Sequence, residues 1–552
     1  MLRRLACAAW VTGAARLVSA VGLTGAVTLA GVCRRTCGLG FVGLIALLPA
    51  GAAQAVPLGT DDARHLLTRT GFAPPESEVK KVAALTREEA VERLLAAAAS
   101  SSVSMHADAP AWVHETVERP ARLGTMSEDE RRAFQQREAL RNFELKTWWM
   151  TQLLQTPAPL VERMTLFWHN HFVSSAQKVR SPQLMYRQNL LLRQHALGNF
   201  GALLHAAAKD PAMLIYLDAA TSRKGQPNEN FAREVMELFT LGEGHYTESD
   251  IKEAARAFTG WSVDRDDNAA FVLRRMQHDD GVKTVFDRSG NFDGDAVLDI
   301  LLAQPAAAEF IVKKMWREFV SPDIDAPVNQ REIARIANAF RASRYDIRTA
   351  LRGIFTSPRF YAPENRAALV KSPVELVAGT VRQFGIRYTD PLPFAMIAAG
   401  LGQNLFAPPN VRGWPGGEAW INSTTLLARK QFVERMFRVD EMRELAGGVP
   451  SALVMTPAPV MTSTPEAVMR RAELGPVANA GRIGQEGRER FQRAAAGIEF
   501  DSGAFLAQFA GQPYGVIRRA VLPAEPATPP GAELSAQAML KALMLDPVYQ
   551  LK

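Results

Sequence analysis

Apolar residues recur at three- and four-residue spacing along most of the chain, which predicts a long succession of amphipathic helices. The pattern places helices at 61–70, within 75–98 and at 127–150, the last a charged helix ending on Trp148-Trp149-Met150. It continues at 157–172, 182–195, 200–208, 230–241 and 247–259. Further helices follow at 295–302, 305–319, 330–343, 347–355, 373–384, 391–401 and 423–437. Boundary chemistry agrees with these limits. Thr86-Arg87-Glu88-Glu89 reads as a capping box, Thr247 and Asp250 cap the helix that Gly260 stops, and Gly242 ends the one before. A helix closed by a turn at proline is expected at 540–549, echoing residues 351–361. Strand signals are confined to 263–286, where a small hairpin fits. From 447 to 482 the chain is rich in Pro, Thr, Ala and Met without a sustained period, and reads as a long surface loop or linker. The expected fold is mainly α: a large multi-helix single domain with long loops and one small β-hairpin. Its expected limits are 56–440 for the helical domain, 441–530 for a Pro/Ala-rich linker with some helix, and 531–552 for a C-terminal helix packing back on the domain.

The first 55 residues have a different character. They carry five arginines (Arg3, Arg4, Arg16, Arg34, Arg35) and no Asp, Glu or Lys. The apolar run 39–48 is too short to span a bilayer but suits a signal-peptide core, and Ala53-Gln54-Ala55 is an A-x-A cleavage signal before Val56. An exported protein, periplasmic or secreted, is therefore expected, with an uncleaved membrane anchor as the alternative. The leader is long, with a second apolar stretch at 18–32. A start placed too early explains that better than a twin-arginine signal, since Thr36-Cys37-Gly38-Leu39 fits the twin-arginine pattern poorly. Removing the leader takes five charges from the net +7 and leaves +2 for residues 56–552, so the basic balance is no argument for nucleic acid. All three cysteines (Cys7, Cys33, Cys37) leave as well, which excludes a disulfide, a thiol nucleophile or a thiolate-ligated metal in the mature chain. No internal membrane span is expected after cleavage.

Candidate chemistry is concentrated in a few strings. In Phe167-Trp168-His169-Asn170-His171-Phe172, two histidines two residues apart diverge by about 200° on a helix. A buried structural pair, a metal site at a helix end and acid–base work are all open. In Asn228-Glu229-Asn230-Phe231-Ala232-Arg233-Glu234-Val235-Met236-Glu237, the carboxylates Glu234 and Glu237 are neighbours on one helical face, able to divide acid and base roles or to bind a divalent metal. The bland alternative is an Arg233–Glu237 pair on an ordinary amphipathic helix. His245 sits in a glycine-flexed loop. His278-Asp279 precedes a Gly-x-Lys-Thr string that lacks the spacing of a phosphate loop. The acidic runs 264–267 and 293–295 fail the spacing of a calcium loop. Pro408-Pro-Asn410-Val-Arg412-Gly-Trp414, followed by Trp420, offers aromatic platforms beside polar groups that suit stacking on sugars; the alternative is a rigid segment whose tryptophans plug the core. No G-x-S-x-G or H-E-x-x-H string is present.

Taken in order, these strings resemble the bacterial family catalogued as domain of unknown function 1800. The resemblance is carried by Leu66 to Phe72, Met164 to Phe172, Met213 to Asp218, Asn228 to Glu234, Glu237 to Gly242, Tyr246 to Asp250, Ala257 to Trp261, His278 to Thr284 and Pro408 to Trp414. Many relatives carry His where this chain has Phe239. The resemblance implies an exported, mainly helical protein, often encoded beside a sulfatase-like partner of the family domain of unknown function 1501. It implies no reaction. Two functions are therefore expected to compete. One is an extracytoplasmic hydrolase or lyase acting on a polysaccharide or similar polymer, with Glu234, Glu237, His169 and His171 as catalytic candidates. Asn228, Asn230, Arg233, His245, His278, Asp279, Arg412, Trp414 and Trp420 would then contact substrate. The other is a non-catalytic periplasmic binding or assembly partner of the sulfatase-like protein.

Overall fold

In a computed structural model, burial of the predicted apolar stripes assembles the helices around one hydrophobic core. The structure describes residues 56–101, 106–118, 124–264, 266–445, 485–531 and 533–552; the expected leader, 1–55, and the 447–482 stretch lie outside them. The fold is mainly α, as the periodicity requires. The long charged helix runs Glu128–Gln155, beyond the expected stop, because Gln152, Leu153 and Leu154 are also buried. Its start is the Ser127/Glu130 capping box. Instead of one hairpin there are two. Trp261–Asp264 pairs antiparallel with Ala270–Leu273, and Lys283–Val285 with Arg288–Gly290. The segment between them turns away because His278 is buried and its Nδ1 bonds the carbonyl of Thr259 at 2.8 Å. Short helices that periodicity cannot register also form, at Ala176–Val179, Pro211–Tyr216, Ser502–Ala507 and Tyr514–Val521. No helix among the described residues is long and apolar enough to cross a membrane.

A buried ion network joins the two ends of the described chain. Arg69, on the helix Thr60–Thr70, is fully buried. Its guanidinium donates to the carbonyls of Phe319 (3.0 Å), Val320 (3.1 Å), Asn365 (2.5 Å) and Lys552 (2.9 Å), so it satisfies carbonyls left free at the end of the helix Pro305–Phe319. Arg163, on the helix Pro159–His171, pairs with Glu375 at 2.6 Å and with Glu318. Glu375 also takes the Lys552 ammonium. Burial pushes the Glu375 carboxyl up, but Arg163 and Lys552 outweigh it and hold it below the usual carboxylate range. The Arg163 guanidinium lies 5.7 Å from the Phe72 ring and 5.9 Å from that of Phe319, so it is enclosed by apolar groups as well as paired.

Buried charges tolerate no missing partner. Arg69→Met leaves four carbonyls without their donor and is expected to cost on the order of 3 kcal/mol, seen as a fall in the urea midpoint at unchanged slope. The Glu375 contribution is present above the ordinary glutamate pKa of about 4.3 and is lost as pH falls through the lower value of the folded state.

Candidate functional site

The helix predicted over 230–241 changes its pitch midway. An α-helical turn, Glu229–Glu234, is capped by Asn228, whose Oδ1 accepts from the Phe231 N–H at 3.2 Å. It then widens into a π-helix, Val235–Thr240. There the Leu241 N–H reaches the carbonyl of Met236 at 2.8 Å, and the Thr240 hydroxyl bonds the carbonyl of Val235 at 2.7 Å. A π-turn inserts an extra residue into the α ladder and re-aims the side chains around it; such turns concentrate at functional sites. Glu234 sits at the junction and Glu237 within the wide turn.

The two carboxylates have different surroundings. Glu237 accepts from the Tyr246 hydroxyl at 2.7 Å and from Arg412 at 3.0 Å. Arg412 also reaches Glu243 at 2.9 Å. Glu234 is half-buried, and among the described residues no side chain hydrogen-bonds to it. Burial and the nearby Glu237 charge raise its pKa against the opposing pull of Arg412 and Arg233. Tyr216 stands close enough for Glu234 to raise its phenol in turn, after burial. Beside Tyr216, Lys178 lies 5.7 Å from the ring centroid and pairs with Asp218 at 2.7 Å. Arg233 does not pair with Glu237: its guanidinium forms a two-pronged bond to Glu248, both contacts 2.8 Å.

Arg412 is delivered to Glu237 by a clamp. Asn170 is the last residue but one of the helix Pro159–His171, and its Oδ1 accepts from the Trp414 N–H at 2.6 Å. Gly413 lies between, at φ 84°, pressed so closely on Asn170 that a β-carbon would overlap its side-chain oxygen and approach its carbonyl to 2.8 Å. His169 and His171 flank this clamp from below. His169 is sealed among Trp149, Phe406 and Trp414, at ring separations of 5.3, 5.7 and 5.6 Å, with neither ring nitrogen hydrogen-bonded. Burial lowers its pKa to about 3, so it is neutral. His171 bonds the carbonyl of Phe239 at 3.1 Å inside a cage that includes Phe172, Phe200 and Phe239, and is likewise kept neutral by burial.

Thus the sequence strings around Glu234, Glu237, His169, His171 and Arg412 do meet, but in layers. Carboxylates and Arg412 lie outside; the histidines are sealed beneath the strap of residues 412–414 and touch neither carboxylate by hydrogen bond. Among the described residues no group of three or more His, Cys, Asp or Glu side chains is placed to hold a metal ion. Trp414 and Trp420 are 3% and 6% exposed, so they fill the core and present no face to a sugar. Asn228 is consumed by its cap and by a 2.9 Å bond to the carbonyl of Leu217. Asp279 is held by Arg256 at 2.9 Å, and with buried His278 it anchors a turn away from the carboxylates. Asn230 and His245 are exposed. Tyr246, Tyr216, Glu243 and the Asn170 clamp escaped the residue-by-residue reading, although Met213 to Asp218 and Tyr246 to Asp250 stand out as strings.

Gly413→Ala is expected to cost about 2 kcal/mol of stability from overlap and positive φ, and to release Arg412 from Glu237. A urea unfolding curve checks the first effect, and loss of an Arg412–Glu237 coupling in a double-mutant cycle checks the second.

No curated protein and no solved structure matches the chain. A family sequence model does, across residues 65–551, spanning the π-turn, the strap and all of the buried network except Lys552. The chain belongs to the family described as Protein of unknown function (DUF1800).

Proposed function

We propose that the Glu234–Glu237 pair is the acid–base centre of an exported hydrolase or lyase acting on a polysaccharide or similar polymer. The observation that carries the reading is the contrast between the carboxylates: Glu237 is bonded to Tyr246 and Arg412, whereas the Glu234 carboxylate is half-buried, takes no hydrogen bond among the described residues and is shifted upward. Environments that divide a carboxylate pair in this way assign it an acid and a base. Glu234 delivers a proton to the leaving oxygen. Glu237, oriented by Tyr246 and Arg412, is the second carboxylate, acting on a water or on a substrate carbon acid. The cluster lies at the surface, with the Arg412 side chain 65% exposed, which suits a long polymer laid across it rather than an enclosed small molecule. Asn230 and His245 are exposed, and on this reading they contact the polymer.

A second reading has its own observation. Arg233 is fully engaged by Glu248 and both histidines are sealed, as in a surface built for binding rather than turnover. On that reading the face docks the sulfatase-like partner that the family resemblance implies.

Glu234→Gln separates the two. As the catalytic acid, its loss lowers turnover on a polymer panel by 10²-fold or more (about 10²–10⁴ for a general acid) while polymer binding persists. Wild-type turnover declines as pH rises through the raised Glu234 pKa, since the acid must be protonated. The same substitution removes a charge the fold disfavours. It is expected to raise the melting temperature at neutral pH, and the gain vanishes in acid, where Glu234 is already protonated. Unchanged turnover together with retained partner binding supports the docking role.

A further inference from the structure

A cavity of about 490 Å³ is lined in part by Lys552 of the buried ion network and by none of Glu234, Glu237 and Arg412. Its wall carries Arg64, Arg366, Lys371, Arg518, Arg519 and Lys552 against Asp61, Asp62 and Glu525; Arg64 and Lys552 are paired beyond it with Glu76 and Glu375, which leaves one positive charge in excess. A second cavity of about 520 Å³ shares Asp61, Arg64 and Arg519 with the first, so the two adjoin along one wall.

Several of these cations lack a full counter-charge. Lys371 is 8% exposed, and among the described residues it forms no ion pair: its ammonium donates to the carbonyl of Tyr549 at 2.8 Å and lies 4.2 Å from that ring's centroid. An ammonium has three N–H donors, so further capacity remains beside the cavity. Arg519 meets Asp61 only loosely, at 3.7 Å. Arg518 is nearly buried, yet its partner Glu525 is 79% exposed and screened by water. Behind the wall stand Arg69 and Arg429, both fully buried, which add positive potential. Burial, with Arg429 and Lys552 opposing Glu375, pulls the Lys371 ammonium down to about 7. Ala73, Pro74, Val521 and Pro523 supply apolar wall, the usual partner of a few convergent polar groups in a ligand site.

We infer that this cavity binds an oxyanion-bearing ligand, a sulfate or phosphate group held by Lys371, Arg518 and Arg519. Guanidinium forks match tetrahedral oxyanions in both charge and geometry, and a concave wall with low-dielectric surroundings focuses the field. The site is independent of the Glu234 reading and shares no residue with it.

The test is calorimetric titration of the full chain with sodium sulfate and, separately, sodium phosphate, at constant ionic strength set with chloride. Saturable binding of at least one anion is expected, and the tighter of the two names the ester class. Arg519→Gln is expected to weaken it at least tenfold. Asp61→Asn, which frees Arg519, is expected to tighten it by several-fold. Both positions are substantially exposed, so both variants keep the fold, and one loss and one gain cannot both come from misfolding. Absence of saturable heat with either anion, or equal affinity in wild type and both variants, overturns the inference.

Discussion

The Arg163–Glu375–Lys552 contact is the constraint on which the rest of the molecule hangs. Ions removed from water are costly unless each finds a partner, so the network admits one arrangement of the elements that supply them. Those elements are far apart in sequence: the helices Pro159–His171 and Pro373–Phe384 and the chain's final residue, with Arg69 adding the first helix and the end of Pro305–Phe319. Hydrophobic burial collapses the helices, but area alone is indifferent to small rotations. The ion network is not.

Function-bearing geometry is transmitted along one helix. Arg163 fixes its rotation, and Asn170, about two turns later, grips the Trp414 backbone. The strap held in this way carries Arg412 to Glu237. On the opposing element the π-turn leaves the Glu234 carboxylate without a hydrogen bond among the described residues, while Glu237 is held by two groups. The sealed histidines fit this scheme as packing under the strap. The basic cavity lies across the same network, lined by Lys371 and Lys552.

Much of the architecture is legible in the sequence because helices announce themselves through apolar spacing and caps. Thr247 with Asp250 and Ser127 with Glu130 both form the boxes their spacing implies. The π-turn is not legible: its residues Val235, Met236 and Phe239 follow an ordinary helical stripe, and the change of pitch depends on packing against other elements. The pairing of Arg233 with Glu248 rather than Glu237, and the burial of Trp414 and Trp420, are likewise set by tertiary neighbours. The ion network involves residues up to 483 positions apart, a separation that no local pattern encodes. The cavity is assembled from 61–74, 366–383 and 518–552, so its charge excess emerges only in three dimensions.

The fold holds Glu234 as a protonatable carboxyl with no hydrogen-bond partner among the described residues, beside a bonded Glu237. A site-resolved titration of the Glu234 carboxyl carbon by nuclear magnetic resonance, assigned by comparison with Glu234→Gln, reads that property directly. A pKa above the ordinary glutamate range is expected, moving higher still when Arg412→Gln removes the opposing charge. A Glu234 that titrates at or below the ordinary range, with no response to Arg412→Gln, would contradict it.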